Sequence, residues 1–244
     1  MLKRRLGKSD LHVSEMGLGC MSLGHDENKA REIIFTALDH GINYLDTADL
    51  YDFGLNEEFV GNAVKSVRKD IIIATKVGNK WNDDKSGWSW DASKNYIKKA
   101  VKESLLRLQT DYIDLYQLHG GTMEDNHDEV IETFEELKKE GIIRYYGISS
   151  IRPNVISSFA SKADLTSVMM QYSMLDRRPE EWMPLLKEHE ISIIARGPIA
   201  KGILSDRALA QKEQSILQNG YLTYTYEQLT ELLSSLKEAF ASRP

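Results

Sequence analysis

Apolar positions along the chain follow one repeating pattern: a short apolar run, a polar loop, then an amphipathic stretch of helical period. The apolar runs cover residues 16–20, 42–45, 71–75, 112–118, 143–148, 168–172 and 191–195. They are short and rich in Ile, Leu, Val and Tyr, which predicts strands buried on both faces of a parallel sheet. Within residues 93–108, Ile97, Val101, Leu105 and Leu108 fall at i, i+4, i+8 and i+11, one stripe of a helix. Val130, Ile131, Phe134 and Leu137 repeat the stripe and stop before Gly141, a left-handed terminator. Six successive returns from strand to strand, each through a helix, require parallel neighbours. The pattern therefore predicts a parallel α/β sheet, open or closed. Residues 3–14, with Gly7-Lys8-Ser9-Asp10 between alternating positions, predict a β-hairpin ahead of the first parallel strand. The run Glu135-Glu136-Leu137-Lys138-Lys139-Glu140 reads as a solvated helix face with i,i+4 pairing.

Composition narrows the class. At 244 residues with no Pro/Gly/Ser-rich linker, the chain is expected to form a single domain over residues 1–244. Thirty-one Lys and Arg against 37 Asp and Glu leave a net charge of −6 with no basic block, which argues against nucleic acid as a partner. No run approaches the ~18 consecutive apolar residues of a membrane span, and no apolar signal core follows Met1-Leu2-Lys3-Arg4-Arg5. A cytoplasmic protein without a membrane partner is expected. The single cysteine, Cys20, excludes an intrachain disulfide and a multi-cysteine zinc site, and reads as buried and inert.

In parallel α/β folds the chemistry collects where strands end and loops begin. Residues 42–45 lead into Asp46-Thr47-Ala48-Asp49-Leu50-Tyr51, residues 71–75 into Lys76, and residues 112–118 into His119. Singly, these read as a turn residue, a solvated strand end and a structural histidine. Together at three consecutive strand ends they form a coherent set. A phenol titrates near pH ~10, and an ammonium beside it favours proton release while a carboxylate keeps that ammonium charged. A histidine within reach orients a carbonyl. Such a set suits a general acid that protonates a carbonyl oxygen while hydride reaches the carbon. No metal is required, and the sequence holds no HExxH or other ligand spacing.

At these residues the chain resembles the aldo-keto reductases. The likeness runs through Gly17-Leu18-Gly19-Cys20-Met21, Asp46-Thr47-Ala48-Asp49-Leu50-Tyr51, Ala74-Thr75-Lys76 and Asp114-Leu115-Tyr116-Gln117-Leu118-His119. It continues in Gly147-Ile148-Ser149-Ser150, Met170-Gln171-Tyr172-Ser173 and Gly197-Pro198-Ile199-Ala200-Lys201-Gly202. The resemblance implies a (β/α)8 TIM barrel that binds NADP(H) in extended form across its carboxyl end, and reduces aldehydes and ketones to alcohols. It implies Tyr51 as proton donor, Lys76 and Asp46 as the pair that tunes it, and His119 as the group that orients the carbonyl. Cofactor contacts are implied for Cys20, Met21, Asp46, Ser149, Ser150, Gln171, Arg196, Gly197, Pro198, Ile199, Lys201, Gly202 and Leu204. Of these, Ser149 and Gln171 would meet the nicotinamide carboxamide, and residues 197–204 would lie along the pyrophosphate through backbone N–H groups.

Three departures from the family pattern stand out. Arg196 occupies a position where many relatives carry an aromatic residue that stacks on the nicotinamide, and a planar guanidinium can stack in its place. Ser149-Ser150 replaces a Ser-Asn pair, which weakens the second carboxamide contact. After residue 201 only one helix is read, over residues 227–240, with 221–226 in a loop before it. The barrel is therefore expected to lack its eighth strand and last helices in this chain. The segment that grips the adenosine phosphate is missing with them.

Trp81, Trp88 and Trp90 crowd the loop over residues 78–91, either as mutually packed surface residues or as a wall of the substrate pocket. Arg177-Arg178 reads as a surface pair. Two other functional readings accompany the reductase: a nucleotide-binding regulatory or sensing protein on the same barrel, and a barrel enzyme using Lys76 as a Schiff-base amine.

Overall fold

Each apolar run forms a strand of one sheet, and the polar segments between them supply the helices and caps. The computed structural model describes residues 1–205 and 219–241. A hairpin of β1 (Lys3–Arg5) and β2 (His12–Ser14) comes first, paired antiparallel from Lys3↔Ser14 to Arg5↔His12. Then follow β3 (Leu18–Gly19), α1 (Glu27–Asp39), β4 (Tyr44–Asp46), α2 (Leu55–Val64) and β5 (Ile72–Val77). A second hairpin, β6 (Asn79–Trp81) and β7 (Trp88–Trp90), precedes α3 (Lys94–Leu108) and β8 (Ile113–His119). The chain goes on through α4 (His127–Lys139), β9 (Ile143–Ser149), α5 (Pro153–Lys162), β10 (Ser167–Gln171), α6 (Met183–Glu188), β11 (Ser192–Arg196) and α7 (Tyr226–Phe240).

Seven strands make the main sheet in the order β11-β10-β9-β8-β5-β4-β3. Neighbours from β3 to β10 pair parallel, with Leu45↔Ile73, Lys76↔Gln117 and His119↔Ser149 setting the register. Helix ends follow local chemistry. Asp26 caps α1 by accepting from the Asn28 and Lys29 amides, Ser93 caps α3 and Asn126 caps α4. Gly141 ends α4 at φ 75°, as the stripe in the sequence predicts.

The chain divides into two compact units. The first comprises Met1–Met170 and Glu181–Ile194, the second Gln171–Glu180 and Ala195–Pro244. In the first, one face of the sheet and the helices enclose a core that includes Ile73, Ile97, Tyr116, Phe134 and Phe159. On the other side, Leu6 and Leu11 of the first hairpin pack with Tyr44, Ile72, Ala74 and Leu115. The acidic–basic run in α4 ties elements together instead of pairing along its own helix. Glu136 meets Lys94 and Lys98 of α3 at 2.6 Å each, Lys138 meets Asp164 at 2.9 Å, and Tyr146 of β9 donates to Glu135 at 2.5 Å. Partners on α3 and β9 engage the carboxylates that an i,i+4 pairing would use.

The second unit has its own small core of Leu175, Ala200, Ile203, Tyr221, Leu229 and Leu233. Its helix α7 begins in a capping box formed by Thr225 and Gln228, and Tyr221 and Tyr224 bridge a tight turn before it. Among the described residues after β11, α7 is the one long element. Residues 206–218, on which part of the expected loss of an eighth strand falls, lie outside the described residues. No helix among the described residues is long and apolar enough to cross a membrane.

Candidate active site

The four residues expected to do chemistry all belong to the first unit, at the carboxyl ends of three adjacent strands. Asp46 is the last residue of β4, Lys76 lies near the end of β5, and His119 closes β8. Strand alternation turns Ala74 and Lys76 to one face and Thr75 to the other. The β4–β5 pairing runs on into the loop, where the Thr47 amide donates to the Ala74 carbonyl at 2.9 Å and the Asp49 amide to the Lys76 carbonyl at 3.3 Å. Those bonds hold the loop against β5 until it turns at Tyr51, whose amide donates to the Ala48 carbonyl at 3.1 Å.

Lys76 is sealed from solvent, at 1% exposure. Its ammonium donates to Asp46 Oδ1, to the Thr47 carbonyl at 2.7 Å and to the Tyr51 hydroxyl at 3.4 Å, so all three protons have acceptors. Burial opposes the charge on Lys76, but Asp46 and Tyr51 overcome it and hold the ammonium above its ordinary value. The Nζ atom also lies 5.0 Å from the centre of the Tyr51 ring. Tyr51 and His119 are both part-exposed, and their rings meet edge to face with centroids 6.0 Å apart. Gln117, fully buried two residues before His119, donates to Asp46 Oδ2 at 3.2 Å.

The turn that carries Tyr51 is strained. Asp52 and Phe53 adopt left-handed backbone at φ 49° and 52°, followed by Gly54 at φ 90°. Glycine is required at position 54 for space as well, since a Cβ there would lie 2.7 Å from Arg107 Cδ. The Phe53 and Trp81 rings meet edge to face with centroids 6.4 Å apart, and Arg107 covers the Trp81 ring at 5.2 Å. The three tryptophans have separate environments. Trp90 lies close over Gly78 and Gly120 and donates to Asp125 at 2.8 Å, Trp81 borders the Tyr51 turn, and Trp88 is exposed.

Beneath the turn sits a second buried charge network that the sequence reading did not anticipate. Arg107 of α3 holds Glu57 of α2 at 2.7 Å, and Thr75 donates to the other Glu57 oxygen at 2.5 Å. Asp49 lies beside them and accepts from the Tyr96 hydroxyl at 3.5 Å. Burial and then Glu57 push the Asp49 carboxyl well above the usual range, against the pull of Arg107. These contacts join α2 to β5 and to α3 across 18 and 50 residues of chain, and no local pattern announces them.

The residues expected at the cofactor are distributed over both units. In the first, Ser149 ends β9 in register with His119, while Ser150 is buried with its hydroxyl accepting the Arg152 amide at 3.2 Å. Cys20 is wholly buried, its carbonyl accepting from Asn56 at 2.6 Å, and burial followed by Asp46 pushes its thiol up to about 12. Met21 next to it is exposed. In the second unit, Gln171 donates to the Tyr221 hydroxyl at 3.1 Å, a partner the sequence did not suggest. Arg196, Gly197, Pro198, Ile199 and Lys201 are exposed. The amides of Ala200, Gly202, Ile203, Leu204 and Ser205 are engaged in turn bonds, so this stretch offers fewer backbone donors than its sequence suggested. What it does present is two exposed cations, Arg196 and Lys201, around Gly197 at φ 64° with open space where a Cβ would stand. That donor set fits an anionic dinucleotide.

Comparison with known proteins agrees with the geometry. The model of the aldo/keto reductase family matches residues 15–240. The uncharacterized oxidoreductase YqkF of Bacillus subtilis is 63% identical over 238 residues, covering 98% of this chain and 78% of that protein. An NADP(+) aldo-keto reductase of Schizosaccharomyces pombe is 33% identical over 213 residues, and there the match spans 83% of this chain and 62% of the relative. Among solved structures, the holo form of an aldo-keto reductase from Bacillus halodurans superposes with a TM-score of 0.91 at 64% identity, over 96% of this chain and 77% of that one. Parallel strands, intervening helices and these likenesses define an α/β barrel of the TIM class. The chain belongs to the aldo/keto reductase family, whose members are NAD(P)H-dependent oxidoreductases.

Proposed function

We propose that this protein reduces aldehyde and ketone carbonyls to alcohols with NADPH, and that Tyr51 is the general acid. The observation that carries the reading is the sealed Asp46–Lys76 pair, whose ammonium is also held by the Thr47 carbonyl at 2.7 Å and turns its third contact to the part-exposed Tyr51 hydroxyl at 3.4 Å. A nicotinamide cofactor, when bound, supplies the hydride. As the carbonyl carbon accepts hydride, the C=O electron pair moves to oxygen, which takes the Tyr51 proton. The phenolate left behind faces the Lys76 ammonium, so the new charge forms beside a fixed cation in a site of low polarisability. His119, whose ring and that of Tyr51 meet edge to face, orients the carbonyl oxygen toward the phenol. Within the second unit Gln171, Arg196, Gly197 and Lys201 offer an amide, two exposed cations and an open backbone turn to the cofactor, and the NADP(+) relative supports the phosphorylated form.

The test is Tyr51→Phe, assayed as aldehyde-dependent oxidation of NADPH with 4-nitrobenzaldehyde. Turnover is expected to fall by about 10²–10⁴-fold, the range for losing a general acid, while NADPH binding followed by fluorescence stays near that of the parent protein. Full turnover in this variant would remove Tyr51 from the mechanism.

A further inference from the structure

We propose that Gln117 is a positioning residue that fixes the Asp46 carboxylate, and through it the Lys76 ammonium, at the reaction centre. The inference rests on the reading of Tyr51 and Lys76 above. Asp46 accepts on both carboxylate oxygens from two different strands, Lys76 of β5 on Oδ1 and Gln117 of β8 on Oδ2, with the buried Tyr44 hydroxyl of β4 also against the carboxylate. Gln117 is the register partner of Lys76, so its side chain reaches past β5 to the end of β4. On its other side the register partner is Gly147 of β9, where a Cβ would lie 2.6 Å from the Ser167 carbonyl. A side chain at position 147 of β9, beside Gln117, would therefore clash with β10.

The chemistry fixes the orientation of the amide. A carbonyl oxygen turned toward Asp46 would face a carboxylate lone pair, so the NH2 group must point there. The Oε1 atom is then buried without a protein hydrogen bond. An apolar side chain of the same length would avoid that penalty, since a buried acceptor without a partner is unfavourable. A residue that breaks the packing rule at a strand interior, beside a candidate catalytic pair, points to work on that pair. With Oδ2 anchored, the carboxylate plane cannot swing about its Cβ–Cγ bond, and Oδ1 stays on Lys76. Without the anchor, Lys76 keeps its bond to the Thr47 carbonyl but loses the fixed carboxylate that sets its direction toward the Tyr51 hydroxyl. The ionisable groups around the carboxylate are Lys76, Tyr51, Tyr44 and Cys20, and burial raises the latter two out of the working range.

Two variants of the full chain test this, alongside Tyr51→Phe, with 4-nitrobenzaldehyde and NADPH as probes. Gln117→Met keeps length and removes the donor; kcat is expected to fall roughly 10-fold or more, as for a lost hydrogen bond to a charged group, with KM within about 2-fold. Gln117→Glu can donate to Asp46 only while its own carboxyl is protonated. It is expected to approach the parent kcat near pH ~6 and to drop toward the Gln117→Met level by pH ~8, a rescue that a purely structural role would not produce. Parent-like kcat in Gln117→Met, or a fall with no pH-dependent rescue in Gln117→Glu, would overturn the positioning role while Tyr51→Phe remains inactive. If Tyr51→Phe stays active, the reading of the reaction fails instead. Tyrosinate absorbance then decides on Gln117 alone: the step lost in Tyr51→Phe should shift in Gln117→Met, and an unmoved step rejects the proposal.

Discussion

Two buried ion clusters lie a few residues apart in the first unit, and they differ in what they touch. Asp46, Lys76 and Gln117 occupy one face of β4, β5 and β8, and their open end is the Tyr51 hydroxyl beside His119. Glu57, Arg107, Thr75 and Asp49 occupy the other face of β5, under α2 and α3, and their neighbours are Trp81, Tyr96 and the turn that carries Tyr51. Each holds a buried acid on a cation. Only the first delivers its cation to a part-exposed titratable group. Burial of charge alone therefore marks a structural clamp as readily as a reaction centre, and the contact that distinguishes them is the path to solvent.

Removing each cation separates the two clusters most directly. Lys76→Met is expected to lower turnover by about 10³-fold, on the scale of losing an acid–base partner. It also leaves a buried carboxylate without its counter-charge, a destabilisation of about 3–5 kcal/mol. Arg107→Met leaves Glu57, which has no exposure, with Thr75 as its remaining donor, and should destabilise by about 3 kcal/mol. Its turnover per folded molecule should stay within about 3-fold of the parent. Urea melts combined with active-site-normalised rates separate the two effects. Equal losses of turnover in both variants would mean that the clusters form one functional unit.

Much of the first cluster was legible in the sequence because its members sit at strand ends, and strand ends are set by apolar runs that any reader can locate. Asp46, Lys76 and His119 follow such runs directly, and Tyr51 follows at the end of a short loop. Gln117 was visible as a polar residue inside an apolar strand, two positions from His119 and so on the same face, but its partner two strands away was not. The second cluster was hidden for the same reason on a larger scale. Glu57 and Arg107 are separated by 50 residues and lie on different helices, and each reads locally as a solvated charge. Helix periodicity reports which face is buried, without naming the partner across it. The α4 run erred in the same direction, toward pairing within its own helix.

The second cluster makes its own statement about pH. Asp49 has a folded-state carboxyl raised well above the ordinary value, by burial first and Glu57 next. The folded protein therefore holds a proton that the unfolded chain releases at about pH 4. Below that value its contribution is complete; as pH rises toward the folded-state midpoint, stability is progressively lost. Asp49→Asn keeps the neutral form at every pH. Its stability should match the parent near pH ~4 and exceed it by about 1 kcal/mol or more at pH ~8, read from urea melts at intervals across that range. Parallel curves for the two proteins would show that Asp49 is ionised in the folded state, and the clamp would then carry two buried carboxylates on one arginine.

The turn between the clusters is expected to give the smallest effect. Asp52 and Phe53 hold left-handed backbone in succession, a conformation that disfavours a side chain by roughly 1 kcal/mol or more per residue. Asp tolerates it better than Phe, because a short polar side chain can bond locally. Asp52→Gly removes the steric penalty but makes the unfolded chain more flexible, so the two terms oppose. A net gain of about 0.5 kcal/mol is expected, at the limit of what denaturation resolves. Turnover is the more informative reading. If the strain merely accompanies the turn, Asp52→Gly keeps the parent kcat; if it holds Tyr51 over Lys76, the more flexible turn lowers kcat with stability unchanged or raised. The Glu57–Arg107 clamp packs directly under Gly54, with Arg107 Cδ 2.7 Å from where a Cβ would stand. We therefore expect the close packing around Gly54 and the Phe53–Trp81 ring contact to hold the turn without help from the strain, and kcat to stay within about 2-fold of the parent.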